Sequence, residues 1–106
     1  MTKKQLRRQQ IKENRQDLIQ NLLGFYMVSE ELQDRLTVKA LKSTLVKVLG
    51  GYGAFYLTIA RYYASIESDS DSWYYRQQAR NYYNDYLDRY ALEDTPEYYE
   101  AKYYRV

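Results

Sequence analysis

Two of the close pairs of acidic side chains, both in the second half of the chain, are candidates for the acid–base chemistry that paired carboxylates can carry. The pairs are Asp85 with Asp88 and Glu93 with Asp94. A general acid needs apolar surroundings that raise the pKa of one carboxyl group, and nothing in the sequence implies an apolar cleft around either pair. We therefore interpret both pairs as parts of a solvated face and expect no enzyme activity.

The residue types that hold metals and cofactors are scarce. The chain has no His and no Cys, the side chains that bind most transition metals in proteins. Residues 69–72, with the sequence DSDS, look like the start of a calcium loop, but the loop glycine and the closing glutamate are missing. Motifs for nucleotide and phosphate binding are absent as well. We expect no metal and no other cofactor.

The pattern of apolar residues predicts an all-α fold, a single small bundle of four to five helices spanning residues 1–106. The 106 residues include only four Gly and one Pro, and apolar residues recur at three- and four-residue intervals. The longest stretch without a charge has 13 residues, whereas a membrane-spanning helix needs about 20. No secretory signal is evident, so we expect a cytoplasmic protein without a membrane-spanning helix.

The first predicted helix runs from about residue 3 to residue 26. Six residues share its apolar face: Ile11, Leu18, Ile19, Leu22, Phe25 and Tyr26. Towards the N-terminus the same face becomes basic, which indicates that the helix projects past the core. Basic charge at a helix N-terminus opposes the macrodipole, so we expect residues 1–10 to form an extension that frays without a partner.

The second predicted helix begins at Ser29, a capping residue followed by two acids. Its apolar pattern is broken, so either it contacts two neighbours or it breaks near Thr37. Residues 50–53, with the sequence GGYG, are predicted to stop it. The alternative is a continuous helix in which the glycines allow another helix to approach closely.

Three further segments complete the predicted fold. A helix over residues 54–66 is apolar on two sides and should be the most buried element. A polar linker over residues 67–72 leads to a helix over residues 73–91. Thr95 and Pro96 are a cap and a first helical residue, and they predict a last helix that ends at Tyr104.

The 15 tyrosines are the most distinctive feature of the composition. On the fourth predicted helix a stripe of tyrosines falls on one face, where the rings can replace leucine as core residues. The stripe consists of Tyr75, Ala79, Tyr82, Tyr83, Tyr86 and Tyr90. Trp73 and Tyr74 point away from the stripe, with Tyr74 on the side of Asp85 and Asp88, and Tyr104 diverges from its neighbours on the last helix. Exposed aromatic rings are typical of binding hot spots, although packing between helices is the competing interpretation.

The charges are divided unevenly along the chain. Residues 1–66 hold 11 Lys/Arg and 5 Asp/Glu, whereas residues 67–106 hold 5 Lys/Arg and 9 Asp/Glu. An acidic half rich in tyrosine suits a basic protein partner, because its negative potential steers the encounter. The predicted protein-binding residues are Trp73, Tyr74, Asp85, Asp88, Tyr98 and Tyr104.

In general character the chain resembles the small helical proteins that phages encode to inhibit host defences, including the anti-CRISPR type. The features that carry the resemblance are the short length, the charge division and the acidic tyrosine-rich segment at residues 82–86 (YYNDY). The resemblance implies an inhibitor that docks on a basic, nucleic-acid-handling protein or complex. It concerns general style and no shared motif, so it assigns no residue a role.

Two alternatives remain open at this point. The chain could be a small DNA- or RNA-binding protein whose basic first helix grips phosphates, with tyrosines stacking on bases. The residues for this role are Lys3, Lys4, Arg7, Arg8, Lys12 and Arg15. Against it, nine acids in the second half would repel phosphate. The chain could also be a homo-oligomer in which one subunit's basic helix end meets another subunit's acidic half.

Overall fold

The computed structural model describes residues 2–70 and 72–105, and it confirms the predicted all-α fold class. Five helices follow one another: α1 (Lys3–Glu31), α2 (Arg35–Leu49), α3 (Tyr52–Ser70), α4 (Trp73–Arg89) and α5 (Pro96–Arg105). The described ranges contain no strand. The chain divides into two compact units, an N-terminal unit (Met1–Val48) and a C-terminal unit (Leu49–Val106). That residues 1–106 form one domain stays a prediction.

Helix α1 is longer than predicted, and the expected start of a second helix at Ser29 is wrong. Ser29 is a buried residue inside α1, which ends at Glu31. The chain then reverses through Gln33 in the left-handed conformation, with φ of 59°. The backbone N–H groups of Gln33 and Asp34 donate to the carbonyl oxygens of Glu30 and Ser29, each at 3.1 Å. These two bonds satisfy two of the carbonyl groups in the last turn of α1.

Asp34, and not Ser29, caps the helix that follows. Its carboxylate accepts a 3.2 Å hydrogen bond from the Thr37 backbone N–H and a 2.8 Å bond from the Thr37 hydroxyl. The chain therefore breaks just before α2, three residues ahead of the break considered at Thr37. The same two bonds hold the pKa of the Asp34 carboxyl below its ordinary value.

The start of α1 is capped by a reciprocal pair of hydrogen bonds. The Gln5 backbone N–H donates to the Thr2 hydroxyl at 3.2 Å, and the Thr2 backbone N–H donates to Gln5 Oε1 at 3.0 Å. Residues 2–18 are all exposed, which agrees with the prediction that the first turns bury nothing. The predicted apolar face is partly wrong, because Ile11, Leu18 and Phe25 are exposed and the buried Leu23 was not part of it. Tyr26, which was part of it, is buried.

Glycines end α2 as predicted. Gly50 and Gly51 have φ of 94° and 132°, values that side-chain-bearing residues rarely adopt. A continuous helix is therefore wrong, but a close approach does occur at Gly53, within α3. A Cβ atom at Gly53 would lie 3.1 Å from the Tyr90 Cβ, so α3 and the C-terminal end of α4 are in close contact there.

Helix α3 runs four residues further than predicted and takes up most of the polar linker at 67–72. Glu67 accepts bonds from the Arg76 guanidinium of α4 at 3.1 and 3.3 Å, which ties the last turns of α3 to α4. Ser72 occupies the N-cap position of α4 without a side-chain hydrogen bond. Asp71 and Val106 lie outside the described residues.

The core of the C-terminal unit confirms two predictions. Helix α3 supplies more buried residues than any other described helix, namely Phe55, Leu57, Ile59, Ala60 and Tyr63. The tyrosine stripe of α4 is buried or half-buried along its whole length. Its rings stack on tyrosines of α3, Tyr82 on Tyr63 at 5.8 Å and Tyr90 on Tyr56 at 5.5 Å between ring centroids. Tyrosine therefore serves as the core residue of α4.

Helix α5 begins as the sequence predicts and packs against α4. The Thr95 hydroxyl accepts a 3.2 Å bond from the Tyr98 backbone N–H, and Pro96 is the first helical residue. Ala101 is fully buried on its inner face. The helix continues through Arg105, one residue past the predicted end.

Candidate functional site

The outward side of α4 carries four of the predicted protein-binding residues. Trp73 is 71% exposed and Tyr74 is 54% exposed, and Asp85 and Asp88 are exposed as well. At 100° per residue, Tyr74, Asp85 and Asp88 lie within about 60° of one another on the side of α4 opposite the stripe. They span 14 residues, or about 21 Å of helix. We call these four residues the acidic-aromatic face.

The ring of Tyr74 is supported by the core. It packs edge-on against Tyr75, with 5.4 Å between ring centroids. Tyr75 is half-buried and stacks at 6.2 Å on the buried ring of Tyr63. Tyr74 therefore projects from a chain of packed rings, which lowers the entropy that it would lose on contacting a partner.

The carboxylates of the acidic-aromatic face differ from two other acids of the C-terminal unit. Glu67 and Glu100 are neutralised by Arg76 and Arg61. In the part of the chain that the structure describes, neither Asp85 nor Asp88 forms an ion pair. These two aspartates supply the negative charge on the outer side of α4, and the exposed Arg89, four residues after Asp85, adds a positive charge beside them.

The other two predicted binding residues, Tyr98 and Tyr104, make contacts within the C-terminal unit. Tyr98 is half-buried and the Lys102 ammonium lies 5.0 Å from its ring centroid, a cation–π distance. Tyr104 is 43% exposed and stacks on Tyr83 with 5.0 Å between centroids and 7° between ring planes. One side of the Tyr104 ring is thus already occupied.

The tyrosines that point outward from α5 are Tyr99 and Tyr103, which the sequence reasoning missed. Tyr103 is 77% exposed, the most exposed of the tyrosines. The signal that could have found them is Ala101, a small apolar residue that suits a close contact with α4. Residues two positions before and after it on a helix point to the opposite side, and these are Tyr99 and Tyr103.

A polar network joins α3, α4 and α5 beside a shallow groove of about 430 Å³. The Arg61 guanidinium donates two bonds to Glu100, at 2.8 and 2.9 Å, and the Tyr83 hydroxyl donates a third at 2.9 Å. These bonds hold the pKa of Glu100 below its ordinary value. Burial, together with the bond to Glu100, raises the pKa of Tyr83. Glu100 is thus kept as an anion and Tyr83 as a neutral phenol.

The basic residues that the alternative function would use are all exposed on α1. Lys4, Arg8, Lys12 and Arg15 fall within about 80° of one another on the helix. The Arg15 guanidinium also donates a 3.0 Å bond to the Val48 carbonyl oxygen. The structure therefore gives the N-terminal unit a cationic stripe on one side of α1.

Comparisons with protein-family models, with curated proteins and with solved structures found no match to this chain. None of the described helices combines the length and the apolar character that crossing a bilayer requires. Across residues 2–70 and 72–105, acidic side chains nowhere form a group of three that could hold a metal ion.

Proposed function

We propose that this chain is a non-enzymatic protein-binding module that docks through its acidic-aromatic face on a basic, nucleic-acid-handling protein or complex and inhibits it. The observation that carries the proposal is the outward side of α4, where two large exposed rings accompany two carboxylates without ion pairs. The proposed site of action is the cytoplasm.

The ring pair supplies the contact area of the proposed interface. Trp and Tyr are enriched at binding hot spots because they bury large areas while few rotamers are frozen. Trp73 and Tyr74 are adjacent at the first turn of α4 and point about 100° apart, so the two rings would contact neighbouring parts of one partner surface. We expect most of the binding free energy to come from this end of the face.

The two carboxylates orient the partner as it approaches α4. Asp85 and Asp88 lie about 16 and 21 Å along the helix from Tyr74. Negative charge at that distance steers a basic surface towards the rings before contact is made. A groove that normally holds nucleic acid offers such a basic surface, which is the kind of target that the resemblance to anti-CRISPR inhibitors implies.

The experiment begins with capture of the partner from a host lysate on the immobilised chain, followed by titration with the purified partner. Replacing Trp73 and Tyr74 by Ala should weaken binding by about tenfold or more. Replacing Asp85 and Asp88 by Asn should slow association and flatten its dependence on salt. Circular dichroism should show unchanged helix content in both variants.

Matched controls separate the face from the rest of the surface. Tyr103→Ala removes an exposed ring from α5, and neutralising Glu13 and Asp17 removes the same number of charges from α1. Both controls should bind as the unmodified chain does. If they weaken binding as much as the α4 variants, or if the captured partner is not a nucleic-acid-handling protein, the proposal is wrong.

The second candidate function is DNA or RNA binding through α1, which the exposed cationic stripe favours. It predicts an affinity for duplex DNA or single-stranded RNA that falls steeply with salt. Replacing Lys4, Arg8 and Lys12 by Gln should abolish this binding, whereas the Trp73 and Tyr74 variants should not affect it. Fluorescence anisotropy with labelled oligonucleotides at several salt concentrations distinguishes the two functions.

A further inference from the structure

An apolar seam runs along the exposed surface of α1 and its C-cap. Ile11, Leu18, Phe25 and Leu32 follow one another at seven-residue intervals, and their exposed fractions range from 53% to 74%. Residues seven apart drift by only about 20° around a helix, so the four side chains form one line about 31 Å long. Val28 is exposed beside this line.

The seam is separate from the face that α1 buries. Leu23, Tyr26 and Ser29 are the buried residues of α1, and they lie to one side of the line. Phe25, Val28 and Leu32 stand three and four residues apart, so their exposed apolar side chains are neighbours at one end of the seam. Grouped exposed apolar side chains mark an interaction site in a small protein. The seven-residue spacing supplies one of the two apolar positions of a coiled-coil heptad and keeps the seam on one side of α1, which suits a second helix packed alongside. At the other heptad position Asn14 and Asn21 are polar and Val28 is apolar.

The charges along α1 indicate what kind of helix would pack against the seam. Residues 3–15 hold six Lys/Arg and one acid, whereas residues 16–34 hold four acids and no Lys or Arg. Both ends of α1 therefore carry the sign of charge that the helix dipole disfavours. A helix with the same charge distribution, running in the opposite direction, would place acidic residues beside basic ones at both ends.

We propose that two copies of this chain pair through the α1 seam in an antiparallel arrangement. Leu18 lies near the middle of the seam and contacts Leu18 of the second copy at the two-fold axis. Ile11 contacts Phe25 of the second copy, and the reverse contact is equivalent by symmetry. A parallel pair would set basic ends against each other, whereas the antiparallel pair is self-complementary and closes as a two-fold dimer.

Analytical ultracentrifugation of the full chain tests whether the seam mediates pairing. The unmodified chain should sediment as a dimer that dissociates on dilution and at high salt. Leu18→Glu places two like charges at the two-fold axis and should weaken dimerisation by about tenfold or more. Leu6→Glu is the matched control, because Leu6 is 52% exposed on another side of α1 and its replacement should leave the dimer intact.

Cysteine cross-linking tests the direction of pairing, since the chain has no native Cys. Under mild oxidation Leu18→Cys should form a cross-linked dimer, and Ile11→Cys alone should not. An equimolar mixture of Ile11→Cys and Phe25→Cys chains should form the mixed cross-link. Efficient cross-linking by Ile11→Cys alone would show a parallel pair and overturn the arrangement, and a monomer that forms no cross-link in any variant would overturn the dimer itself.

Discussion

The hydroxyl of Tyr83 on α4 donates a 2.9 Å hydrogen bond to the Glu100 carboxylate on α5. The same carboxylate accepts two bonds from Arg61 on α3, so one acidic side chain joins three helices that are distant in sequence. Tyr104 covers the Tyr83 ring by stacking on it. Glu100 thus adds hydrogen bonds between α3, α4 and α5 to the contacts that the stacked tyrosine rings make.

Removing the Glu100 carboxylate should destabilise the C-terminal unit. Glu100→Ala leaves the hydroxyl of the buried Tyr83 and the Arg61 guanidinium without their shared acceptor, and a loss of about 1–3 kcal/mol in the free energy of unfolding follows. Denaturant unfolding followed by circular dichroism measures this loss. Glu93→Ala, which removes an exposed acid, should change the stability by less than about 0.5 kcal/mol.

Acid should destabilise the fold through carboxylates whose pKa values are lowered. The pKa of Glu100 lies below its ordinary value of 4.5, because Arg61 and Tyr83 bond to the charged form. The unfolded chain therefore takes up the proton first, and stability is lost as pH falls from about 4.5 through the folded-state pKa. Melting temperatures measured over this range should fall less steeply for Glu100→Gln, and an equal slope in that variant would contradict the assignment.

Two helical glycines should respond to alanine in opposite ways. At Gly53 the new Cβ would lie 3.1 Å from the Tyr90 Cβ, and relieving that crowding should cost about 1–3 kcal/mol of stability. At Gly24 nothing lies within 4 Å, so alanine should stabilise α1 by about 0.5–1 kcal/mol through its higher helix propensity. Thermal unfolding of the two variants provides the comparison, and equal shifts would show that α3 and α4 do not approach closely.

The turn between α1 and α2 should be more stable with glycine at position 33 than with the native Gln33. Gln33 has φ of 59°, a conformation that costs a residue with a Cβ atom about 1 kcal/mol relative to glycine. Gln33→Gly should therefore raise the melting temperature, whereas Gln33→Ala should leave it nearly unchanged. Asp94, with φ of 64°, should gain less from glycine because its carboxylate accepts a 2.9 Å bond from the Tyr99 hydroxyl.

Local signals in the sequence predicted much of the fold. The Thr95 cap, the glycine stop at Gly50 and the buried stripe of α4 each depend on residues within a few positions of one another. Ser29 misled the prediction because two capping residues compete five positions apart, and the bonds between Asp34 and Thr37 decide the outcome. A capping motif identified from a few neighbouring residues does not show that a second capping residue nearby competes with it.

Long-range relationships could not be predicted in the same way. Arg61 and Glu100 are 39 positions apart, and no spacing rule joins them. On α5, the sequence reasoning selected Tyr104 as the outward ring, whereas Tyr99 and Tyr103 are more exposed. Which side of a short amphipathic helix faces inward depends on where α4 lies, and Ala101 was the local signal that the sequence offered.

The position of Trp73 determines what fluorescence will report. It is the single tryptophan of the chain and it is 71% exposed in the folded state. Its emission should therefore be red-shifted and readily quenched by iodide both before and after denaturation. A blue shift with loss of quenching would instead signal that a second macromolecule has covered the first turn of α4.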